Sequence, residues 1–368
     1  MRIAIIGAGQ LGQMLGFAAR ELGIDCLFLD PSISPPAKVC GDVMQRPFDD
    51  SDALLELATN CDVLTYEFEN VPVAALQKIA DKIAIYPPVE ALRIAQDRLH
   101  EKKLFERLGI PLPAYRAINT RHDMVAAADA LGLPMVIKTR RLGYDGKGQF
   151  VVRRASDIEL AWDALGTQAL IAEQWVPFDY EVSSIGVRAI NHEVRHYALS
   201  QNRHEQGILR TSRSPVDVPM LVEQAAEYMR LLLEHLDYVG VLALELFVKD
   251  DRLLANEFAP RVHNSGHWTI EGAATSQFEN HLRAVMNMRL GSTAGCCHAG
   301  MINLIGEIPD AARAIENAFL HDYGKEARPG RKLGHITVTG KTADERDALV
   351  DIIDKTVNQS TCPSVSLA

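Results

Sequence analysis

The chain begins with an apolar strand, a glycine-rich turn and an amphipathic helix, and this unit constrains the fold more than any other feature. Residues 2–6 read RIAII, and GAGQLGQMLGFAARELG follows directly. Two further apolar runs, DCLFLD at 25–30 and DVLTYEF at 62–68, continue the alternation of strand and helix. Such alternation predicts a parallel sheet covered by helices, because parallel strands need crossover connections. We therefore expect a Rossmann-like α/β unit that ends near Pro87 and Pro88.

Three glycines form a G-x-G-x-x-G motif between the first strand and helix. They are Gly7, Gly9 and Gly12, and Asp30 ends the second strand. In this position the motif is typical of dinucleotide binding, because glycines let backbone N–H groups approach a phosphate at a helix N-terminus. A tight turn in a Rossmann-like unit without any nucleotide has the same sequence. The motif alone leaves both interpretations open.

A second glycine-rich segment, GYDGKGQ at 143–149, joins two predicted strands. Its three glycines and one lysine predict a flap whose backbone N–H groups donate to phosphates. An ordinary β-hairpin turn is the alternative, although such a turn seldom needs so many glycines. Lys138 ends the preceding strand, so its ammonium group could reach the inner phosphates.

Two glutamates in apolar strands give the most informative chemical signal. Glu245 and Glu257 lie six residues on either side of Asp251, so a turn centred there places them opposite each other in an antiparallel pair. Opposed carboxylates repel each other, and a buried unpaired carboxylate is costly. Magnesium would resolve both problems, because it binds one or two carboxylates together with substrate phosphates. A buried ion pair is the alternative.

The segment NEFAPRVHNSGHW at 256–268 is dense in polar and aromatic residues and predicts a loop that lines a substrate. Within it, His263 and His267 have a spacing found in zinc sites, but the intervening Asn-Ser-Gly disfavours a ligand-presenting helix. Upstream, EQWV at 173–176 ends a strand and Glu181 begins the next, an arrangement that suits an adenosine-binding hinge or an ordinary connection.

A charged helix is expected over 90–108, between the first unit and the prolines of GIPLPAY.

The composition disfavours several functions. The 368 residues carry a formal net charge of −10, which gives no global attraction for nucleic acid or anionic membranes. The six cysteines include no C-x-x-C pair, which favours reduced thiols and a cytoplasmic location. The first residues lack the features of a signal peptide, and no run approaches the roughly 18 apolar residues of a membrane span.

Together these segments resemble the ATP-grasp superfamily and, within it, the ligases that carboxylate 5-aminoimidazole ribonucleotide in purine biosynthesis. The matching segments in chain order are GAGQLGQML, Asp97-Arg98, Lys138, GYDGKGQ, EQWVPFDYE, HEQGILRTS, LELF, NEFAPRVHNSGHW and RPGRKLGHI. They cover nearly the whole chain up to about residue 336. One departure is Leu142, where many relatives have a further glycine before the flap.

The resemblance implies an α/β (α+β) chain with the ATP-grasp fold. The implied domains are a Rossmann-like preATP-grasp domain at 1–96, an ATP-grasp domain at 97–295 and a small mixed α/β domain at 296–368. The implied ligands are ATP, Mg²⁺, bicarbonate and the aminoimidazole ribonucleotide, and the implied assembly is a homodimer.

The resemblance also implies roles for the matched residues. The expected ATP-binding residues are Arg98, Lys138, Gly143, Tyr144, Asp145, Gly146, Lys147, Gly148, Gln149, Glu173, Gln174, Trp175, Val176, Glu181, His204, Asn256 and Glu257. Magnesium would bind Glu245 and Glu257. The expected ribonucleotide site is Tyr144, Asp145, Arg261, His263, Asn264 and, for the 5′-phosphate, Lys325, Arg331 or Lys332. The expected catalytic residues are Lys138, Arg261, His263 and Asn264.

In the implied reaction, bicarbonate attacks the γ-phosphate of ATP and the resulting carboxyphosphate, or CO2 released from it, carboxylates the amine. Three alternatives remain: two other enzymes, and a catalytically silent binding or regulatory protein, which the presence of all the expected metal and phosphate residues disfavours. A nicotinamide oxidoreductase would explain the first glycine motif but would leave Glu245 and Glu257 without a function. Another ATP-grasp ligase, such as a formate-dependent glycinamide ribonucleotide transformylase, would share the ATP site and differ in its acid and amine.

Overall fold

The computed structural model describes residues 1–143, 146–313, 315 and 318–358. The strands within these ranges form three sheets. A parallel sheet comes first along the chain, a small antiparallel sheet follows, and a larger antiparallel sheet contains the remaining strands. In the same ranges, no helix is both long enough and apolar enough to cross a membrane.

The first sheet is the parallel unit that the alternation of strand and helix predicts. Its elements are β1 (Arg2–Ile6), α1 (Gln10–Glu21), β2 (Asp25–Leu29), β3 (Asp42–Met44), α2 (Ser51–Asn60), β4 (Val63–Tyr66), α3 (Val73–Gln77) and α4 (Val89–Ala95). The strands pair in the order β3-β2-β1-β4. Ile3 and Ile5 of β1 belong to one hydrophobic cluster, and Ala4 and Ile6 belong to another. The sheet is therefore buried on both faces, as parallel sheets generally are.

The second sheet contains four antiparallel strands. Its region comprises α5 (Arg98–Arg107), β5 (Tyr115–Ile118), α6 (Arg121–Leu131), β6 (Met135–Thr139), β7 (Gln149–Val152), α7 (Asp157–Leu165) and β8 (Leu170–Gln174). The strand order is β5-β8-β6-β7. The flap at 143–149 joins β6 to β7, which confirms that the second glycine-rich segment connects two strands.

The third sheet continues into the C-terminal part of the chain. Its region comprises β9 (Tyr180–Arg188), β10 (Val194–His196), β11 (Ser200–Glu205), β12 (Ile208–Ser214), α8 (Pro219–His235), β13 (Gly240–Lys249), β14 (Arg252–Ala259), α9 (Thr269–Gly272), α10 (Gln277–Val285), β15 (His298–Ile305), α11 (Asp310–Arg313), β16 (Ala318–Asp322), β17 (Lys332–Gly340) and α12 (Ala343–Asn358). The order is β14-β13-β9-β11-β12-β15-β17-β16, with β10 paired to β9. The pairing of β12 with β15 therefore makes one sheet across the domain boundary expected near residue 296.

The helix expected over 90–108 is instead two helices, α4 and α5, and this prediction is wrong. The break has a local cause, because the Asp97 side chain accepts a hydrogen bond from the first turn of α5 and caps that helix. The same carboxylate accepts two bonds from Arg140, at 2.9 and 2.6 Å, which ties α5 to the end of β6. Arg98 is thus the first residue of α5, and its guanidinium reaches Glu257 of β14.

Candidate active site

The β13–β14 hairpin places two carboxylates opposite each other. Glu245 and Glu257 are direct cross-strand partners, and the strand register shifts immediately after Glu245. The turn that joins the strands contains Asp250 and Asp251, both with positive φ. This register confirms the opposed carboxylates that the sequence predicts.

Arg98 and His263 are close partners of the two carboxylates. Arg98 Nη1 lies 2.5 Å from Glu257 Oε2, and His263 Nε2 lies 3.1 Å from Glu245 Oε1. Burial raises the pKa of Glu245, and the adjacent charge of Glu257 raises it further. Burial also opposes ionisation of Glu257, but the Arg98 guanidinium together with Lys138 and Lys102 outweighs that effect and lowers its pKa. The pair thus keeps one carboxylate ionised and disfavours a second negative charge.

The oxygen atoms around this pair suit a hard divalent cation. A cation beside both carboxylates would favour ionisation of Glu245, because an opposite charge stabilises the ionised form. Asn256, next to Glu257 in the chain, has a buried side-chain oxygen without a hydrogen-bond partner. Among the described residues, no group of three or more His, Cys, Asp or Glu side chains is placed to hold a metal ion. A cation here would therefore need substrate oxygens as well, as Mg²⁺ commonly does.

Lys138 lies in a buried cluster of alternating charges. Its Nζ donates to Glu173 Oε2 at 2.8 Å, and Lys102 Nζ lies 3.5 Å from the same oxygen. Lys102 also donates to the backbone oxygen of Asn256 at 2.5 Å, so it connects β8 with β14. Burial opposes ionisation of Glu173, but the two lysines outweigh it and lower the pKa to about 2. Sequence analysis missed Lys102, although it lies one helical turn after Arg98 and so on the same face of α5.

A cleft of about 260 Å³ opens between the second and third sheets. The residues predicted to bind ATP that line it are Arg98, Lys138, Gly146, Lys147, Gly148, Gln149, Glu173, Gln174, Trp175, Val176, Glu181, His204, Asn256 and Glu257. Two residues that the sequence analysis missed, Phe178 and Phe247, also line the cleft, and their rings stack with centroids 4.8 Å apart. An apolar wall with a few polar groups is typical of a site for a flat organic ligand. We call this cavity the nucleotide cleft.

Glu181 and His204 form a polar pair in the nucleotide cleft. The distance between His204 Nδ1 and Glu181 Oε2 is 2.6 Å. Burial lowers the pKa of His204, but the hydrogen bond to Glu181 and the charges of Glu245 and Glu181 together outweigh burial, so the net pKa is raised. Glu181 is the cross-strand partner of Phe247 on β13, so the polar pair lies next to the aromatic wall of the cleft.

Two flap glycines have backbone conformations that favour glycine. Gly146 and Gly148 have φ values of 76° and 71°. A Cβ atom on Gly148 would lie 2.5 Å from the Thr139 hydroxyl oxygen, so a larger residue would force the flap away from β6. Leu142, just before the flap, also has a positive φ of 62°. Tyr144 and Asp145 lie outside the described residues.

A second cavity, of about 90 Å³, lies on the other side of the carboxylates, and we call it the inner cavity. Arg98, Glu245 and Glu257 line both cavities. Arg261 lines the inner cavity, as does Gly143, and the Arg261 guanidinium lies 2.8 Å from Glu69 Oε1. Molecules bound in the two cavities would therefore meet at the carboxylate pair.

His263 lines the inner cavity and is held rigidly by its loop. Gln277 accepts a hydrogen bond from His263 N at 3.0 Å and donates to His263 O at 2.6 Å. Burial lowers the pKa of His263 well below its usual value, and the charge of Arg261 lowers it further. Its Nδ1 accepts a hydrogen bond from Ser265 N at 3.3 Å, so the hydrogen of the neutral ring is on Nε2, which faces Glu245.

The remaining loop residues face the C-terminal strands. Asn264 forms hydrogen bonds with Asn303 of β15. His267 is buried, and its ring lies 4.9 Å from that of His335 of β17. Contrary to the expectation from the Asn-Ser-Gly sequence, Asn264–Gly266 between the two histidines forms a short 3₁₀ helix.

Of the three basic residues proposed for the 5′-phosphate, Lys325 and Lys332 are neighbours, because Lys325 Nζ donates to the backbone oxygen of Lys332 at 3.4 Å. Lys325 Nζ donates to the side chain of Gln10, at the start of α1. Arg331 donates to the backbone oxygen of Glu326 at 3.0 Å. The charge of Lys332 contributes to lowering the pKa of His263. Lys325 is thus the candidate closest to the N-terminal glycine turn, and Lys332 is the one closest to the loop.

The N-terminal glycine turn is filled by carboxylates of the chain itself. Asp30 accepts a hydrogen bond from Ala8 N at 2.9 Å, and Glu67 accepts one from Gly9 N at 2.6 Å. A Cβ atom on Gly7 or Gly9 would lie 2.9 Å from the Glu67 side chain. Burial raises the pKa of Glu67 to about 7 despite that hydrogen bond. These contacts occupy the position that a dinucleotide phosphate would take, and sequence analysis missed Glu67.

The chain matches three family models in sequence. They describe a ribonucleotide synthetase preATP-grasp domain at residues 1–96, an ATP-grasp domain at 103–278 and a phosphoribosylaminoimidazole carboxylase C-terminal domain at 299–348. The ATP-grasp fold expected from the sequence is therefore confirmed, and the chain is an ATP-grasp ligase.

Individual relatives narrow the assignment. The N5-carboxyaminoimidazole ribonucleotide synthase of Pseudomonas aeruginosa is 48% identical over 340 residues, which are 92% of this chain and 94% of the relative. The crystal structure of the corresponding synthetase from Thermus thermophilus aligns over all of both chains with a TM-score of 0.91 and 45% identity. The chain belongs to the N5-carboxyaminoimidazole ribonucleotide synthase family.

A structure with bound ligands is also similar. The Aspergillus clavatus N5-carboxyaminoimidazole synthase, solved with ADP and 5-aminoimidazole ribonucleotide, aligns with a TM-score of 0.90 and 33% identity over 97% of this chain and 98% of that one.

Proposed function

We propose that this protein carboxylates 5-aminoimidazole ribonucleotide with bicarbonate, at the expense of ATP, and releases ADP and phosphate. One observation carries the proposal: the nucleotide cleft and the inner cavity share a wall made of Arg98, Glu245 and Glu257. A phosphoryl group leaving a nucleotide in the first cavity would enter the second one at this wall. The ADP and ribonucleotide of the Aspergillus clavatus complex support the same pair of ligands.

The nucleotide cleft suits ATP along its length. The adenine would pack near Phe178 and Phe247 and meet the backbone of 173–176, while Glu181 would accept hydrogen bonds from the ribose hydroxyls. The phosphates would extend towards Lys138 and the flap, where ammonium and backbone N–H groups can donate to them. In this pose the γ-phosphate reaches the carboxylate pair.

Magnesium would bind Glu245 and Glu257 together with phosphate oxygens. The raised pKa of Glu245 and the unpartnered oxygen of Asn256 support a cation at this place. When bound, the cation neutralises charge on the phosphates and aligns the γ-phosphoryl group with its acceptor.

Charge neutralisation is the central problem of the proposed reaction, because bicarbonate and ATP are both anions. Arg98 and Arg261 border the inner cavity, so their guanidinium groups can hold bicarbonate while one of its oxygens forms the new bond to phosphorus. The bond from phosphorus to the β,γ-bridging oxygen breaks, and ADP leaves with that electron pair. Closure of the flap over Lys138 would keep water from the carboxyphosphate that results.

The ribonucleotide amine then attacks the activated carbon, phosphate leaves, and the amine loses a proton. We assign His263 an orienting role in this step, because Nδ1 already accepts a backbone hydrogen bond and Nε2 faces Glu245. A neutral ring held in this way can fix Glu245 beside the amine without taking the proton itself. The phosphate ion released in the reaction is a suitable acceptor for that proton.

The ribonucleotide would occupy the inner cavity and extend towards the C-terminal strands. Arg261 and Asn264, with Tyr144 and Asp145 of the flap, are proposed to surround its ring. Lys325 lies near α1, where the N-terminal turn and the C-terminal segment meet, and is the basic residue we favour for the 5′-phosphate. From the family resemblance we also propose that the enzyme is a cytoplasmic homodimer, which sedimentation of the purified protein would test.

The decisive experiment measures ADP release from MgATP with the ribonucleotide and bicarbonate, omitting each component in turn. Strict dependence on all three supports the proposal. ADP release that ignores bicarbonate but requires formate and glycinamide ribonucleotide would replace it with the formate-dependent reaction. ADP release without any acid or amine would overturn the ligase assignment.

A further inference from the structure

A fully buried asparagine on β15 contacts the active-site loop from the C-terminal part of the sheet. Asn303 Nδ2 donates to Asn264 Oδ1 at 2.8 Å, and Asn303 Oδ1 accepts a hydrogen bond from Asn264 Nδ2 at 3.1 Å. The second hydrogen of Asn303 Nδ2 is donated to the backbone oxygen of Leu209 at 2.9 Å. Asn303 has no exposed surface, and its bond to Leu209 is buried, while the two bonds to Asn264 are partly buried.

These bonds determine which way both amides face. A backbone carbonyl can only accept a hydrogen bond, so Leu209 requires the amino group of Asn303 on its side. The amino group then also faces Asn264, which must present its oxygen to that group and its nitrogen to Asn303 Oδ1. The direction of the Asn264 amide therefore follows from a carbonyl on β12, outside the loop itself.

The orientation of Asn264 matters because it follows His263 directly in the loop. Gln277 of α10 holds the backbone of His263 from one side, and Asn303 holds Asn264 from the other. His263 Nε2 lies 3.1 Å from Glu245, so a rotation of the loop would move a group that contacts the carboxylate pair. A displacement of about 1 Å in such a group can reduce turnover about 100-fold.

We propose that Asn303 is a positioning residue for the carboxylation reaction, which sets the direction of the Asn264 amide and thereby the placement of His263. The inference rests on the proposed function. Among the described residues, Asn303 forms side-chain hydrogen bonds with Asn264 and Leu209, and it is expected to act on the reaction through Asn264. Its contribution should therefore disappear when the Asn264 side chain is already absent.

The test is a double-mutant cycle of Asn303→Ala and Asn264→Ala, with ADP release measured at saturating MgATP, ribonucleotide and bicarbonate. Asn303→Ala should lower kcat about 10- to 100-fold while the KM for MgATP changes less than about twofold. In the Asn264→Ala background the same change should have no further effect on kcat, because the pair acts as a unit. If Asn303→Ala unfolds, Asn303→Ser retains a hydroxyl for the Leu209 oxygen and should show the same loss of kcat.

Asn280→Ala is the matched control, since Asn280 is equally buried and its amide bonds Tyr197 and Gly291 away from the loop. It should lower the melting temperature without this loss of kcat. Full kcat in folded Asn303→Ala or Asn303→Ser, or additive losses in the cycle, would overturn the inference. Wild-type dependence on all three substrates is measured in the same assay, so a failure of the proposed function would be recognised separately.

Discussion

The two glycine-rich segments of this chain have similar compositions and opposite surroundings. In the N-terminal turn, the N–H groups of Ala8 and Gly9 already donate to Asp30 and Glu67, and the Glu67 side chain fills the space beside the glycines. In the flap at 143–149, Gly146 and Gly148 line an open cleft next to Lys138. One turn is closed by the protein's own anions, and the other faces a cavity that an anionic ligand can enter.

A glycine-rich sequence predicts a close approach to the backbone, but it does not identify the group that approaches. Glycines mark places where a backbone is approached closely, but the approaching group is set by the tertiary structure. For Gly9 that group is Glu67, which is 58 residues away in the chain. A phosphate and a buried carboxyl group satisfy the same N–H donors, so the motif alone could not distinguish them.

The largest effect is expected where a carboxylate faces the open cleft. Glu257→Gln should lower kcat about 1000-fold or more, because a neutral amide binds a cation poorly and metal ligation contributes several kcal/mol to phosphoryl transfer. Steady-state ADP release would measure the loss, and circular dichroism would confirm that the variant is folded. Glu67→Gln is the matched control, because Glu67 lies in the closed N-terminal turn. This variant should not show the large loss of kcat that is expected for Glu257→Gln. Near-normal kcat in Glu257→Gln would contradict the metal assignment.

A different kind of effect is expected from the carboxyl group that closes the N-terminal turn. Burial raises the pKa of Glu67 to about 7 in the folded protein, above its usual value of 4.5. The folded state therefore favours the protonated form, and its stabilisation, present at pH 4.5 and below, is lost as the pH rises through about 7. The shift corresponds to a loss of about 3 kcal/mol in the free energy of unfolding. Denaturant unfolding from pH 4 to 8 would measure it.

Glu67→Gln should remove the Glu67 share of this dependence, because an amide does not titrate, while Glu101 and Glu245, whose pKa values burial also raises, keep theirs. His281 provides a contrast in the same experiment, because burial lowers its pKa to about 4 and it loses stabilisation as the pH falls below 6.5. A variant that keeps the wild-type loss between pH 4.5 and 7 would show that the Glu67 carboxyl is ionised in the closed turn.

A glycine-to-alanine pair tests the steric side of the comparison. Gly148→Ala should raise the KM for MgATP about tenfold, because the new Cβ would lie 2.5 Å from the Thr139 hydroxyl and displace the flap. Gly12→Ala places a Cβ 2.9 Å from the Gly7 carbonyl oxygen and should instead lower the free energy of unfolding by about 1–3 kcal/mol. Nucleotide titrations and denaturant unfolding of both variants distinguish these outcomes. Equal effects of the two changes on the KM would contradict the division between an open and a closed turn.

The sequence predicted the parts of the site that follow from local spacing. The six-residue intervals around Asp251 predicted the opposition of Glu245 and Glu257, because a hairpin converts sequence distance into register. Contacts between distant segments could not be predicted in this way. Lys102 bridges Glu173 and Asn256, and nothing in their sequence positions shows that one ammonium group lies between them.

The split between α4 and α5 was missed for a related reason. The pattern of charged and apolar residues continues through 96–97, but Asp97 serves as a helix cap and as the partner of Arg140. The sequence therefore contained a local signal for the break, since Asp is a common helix N-cap. It did not show that Asp97 also pairs with Arg140, which reinforces the break. The placement of Arg98 against Glu257 depends on that break.

The smallest effect is expected at the entrance to the flap. Leu142 has a φ of 62° and its side chain is 68% exposed, so it bears the cost of a left-handed backbone without burying its apolar atoms. Leu142→Gly should increase the free energy of unfolding by up to about 1 kcal/mol and change the KM for MgATP by less than about threefold. Leu142→Ala shortens the side chain but keeps the Cβ, so it should leave both quantities near their wild-type values. If Ala and Gly behave alike in unfolding and nucleotide titrations, the backbone at 142 is not strained, and the open loop tolerates a side chain at its entrance as readily as glycine.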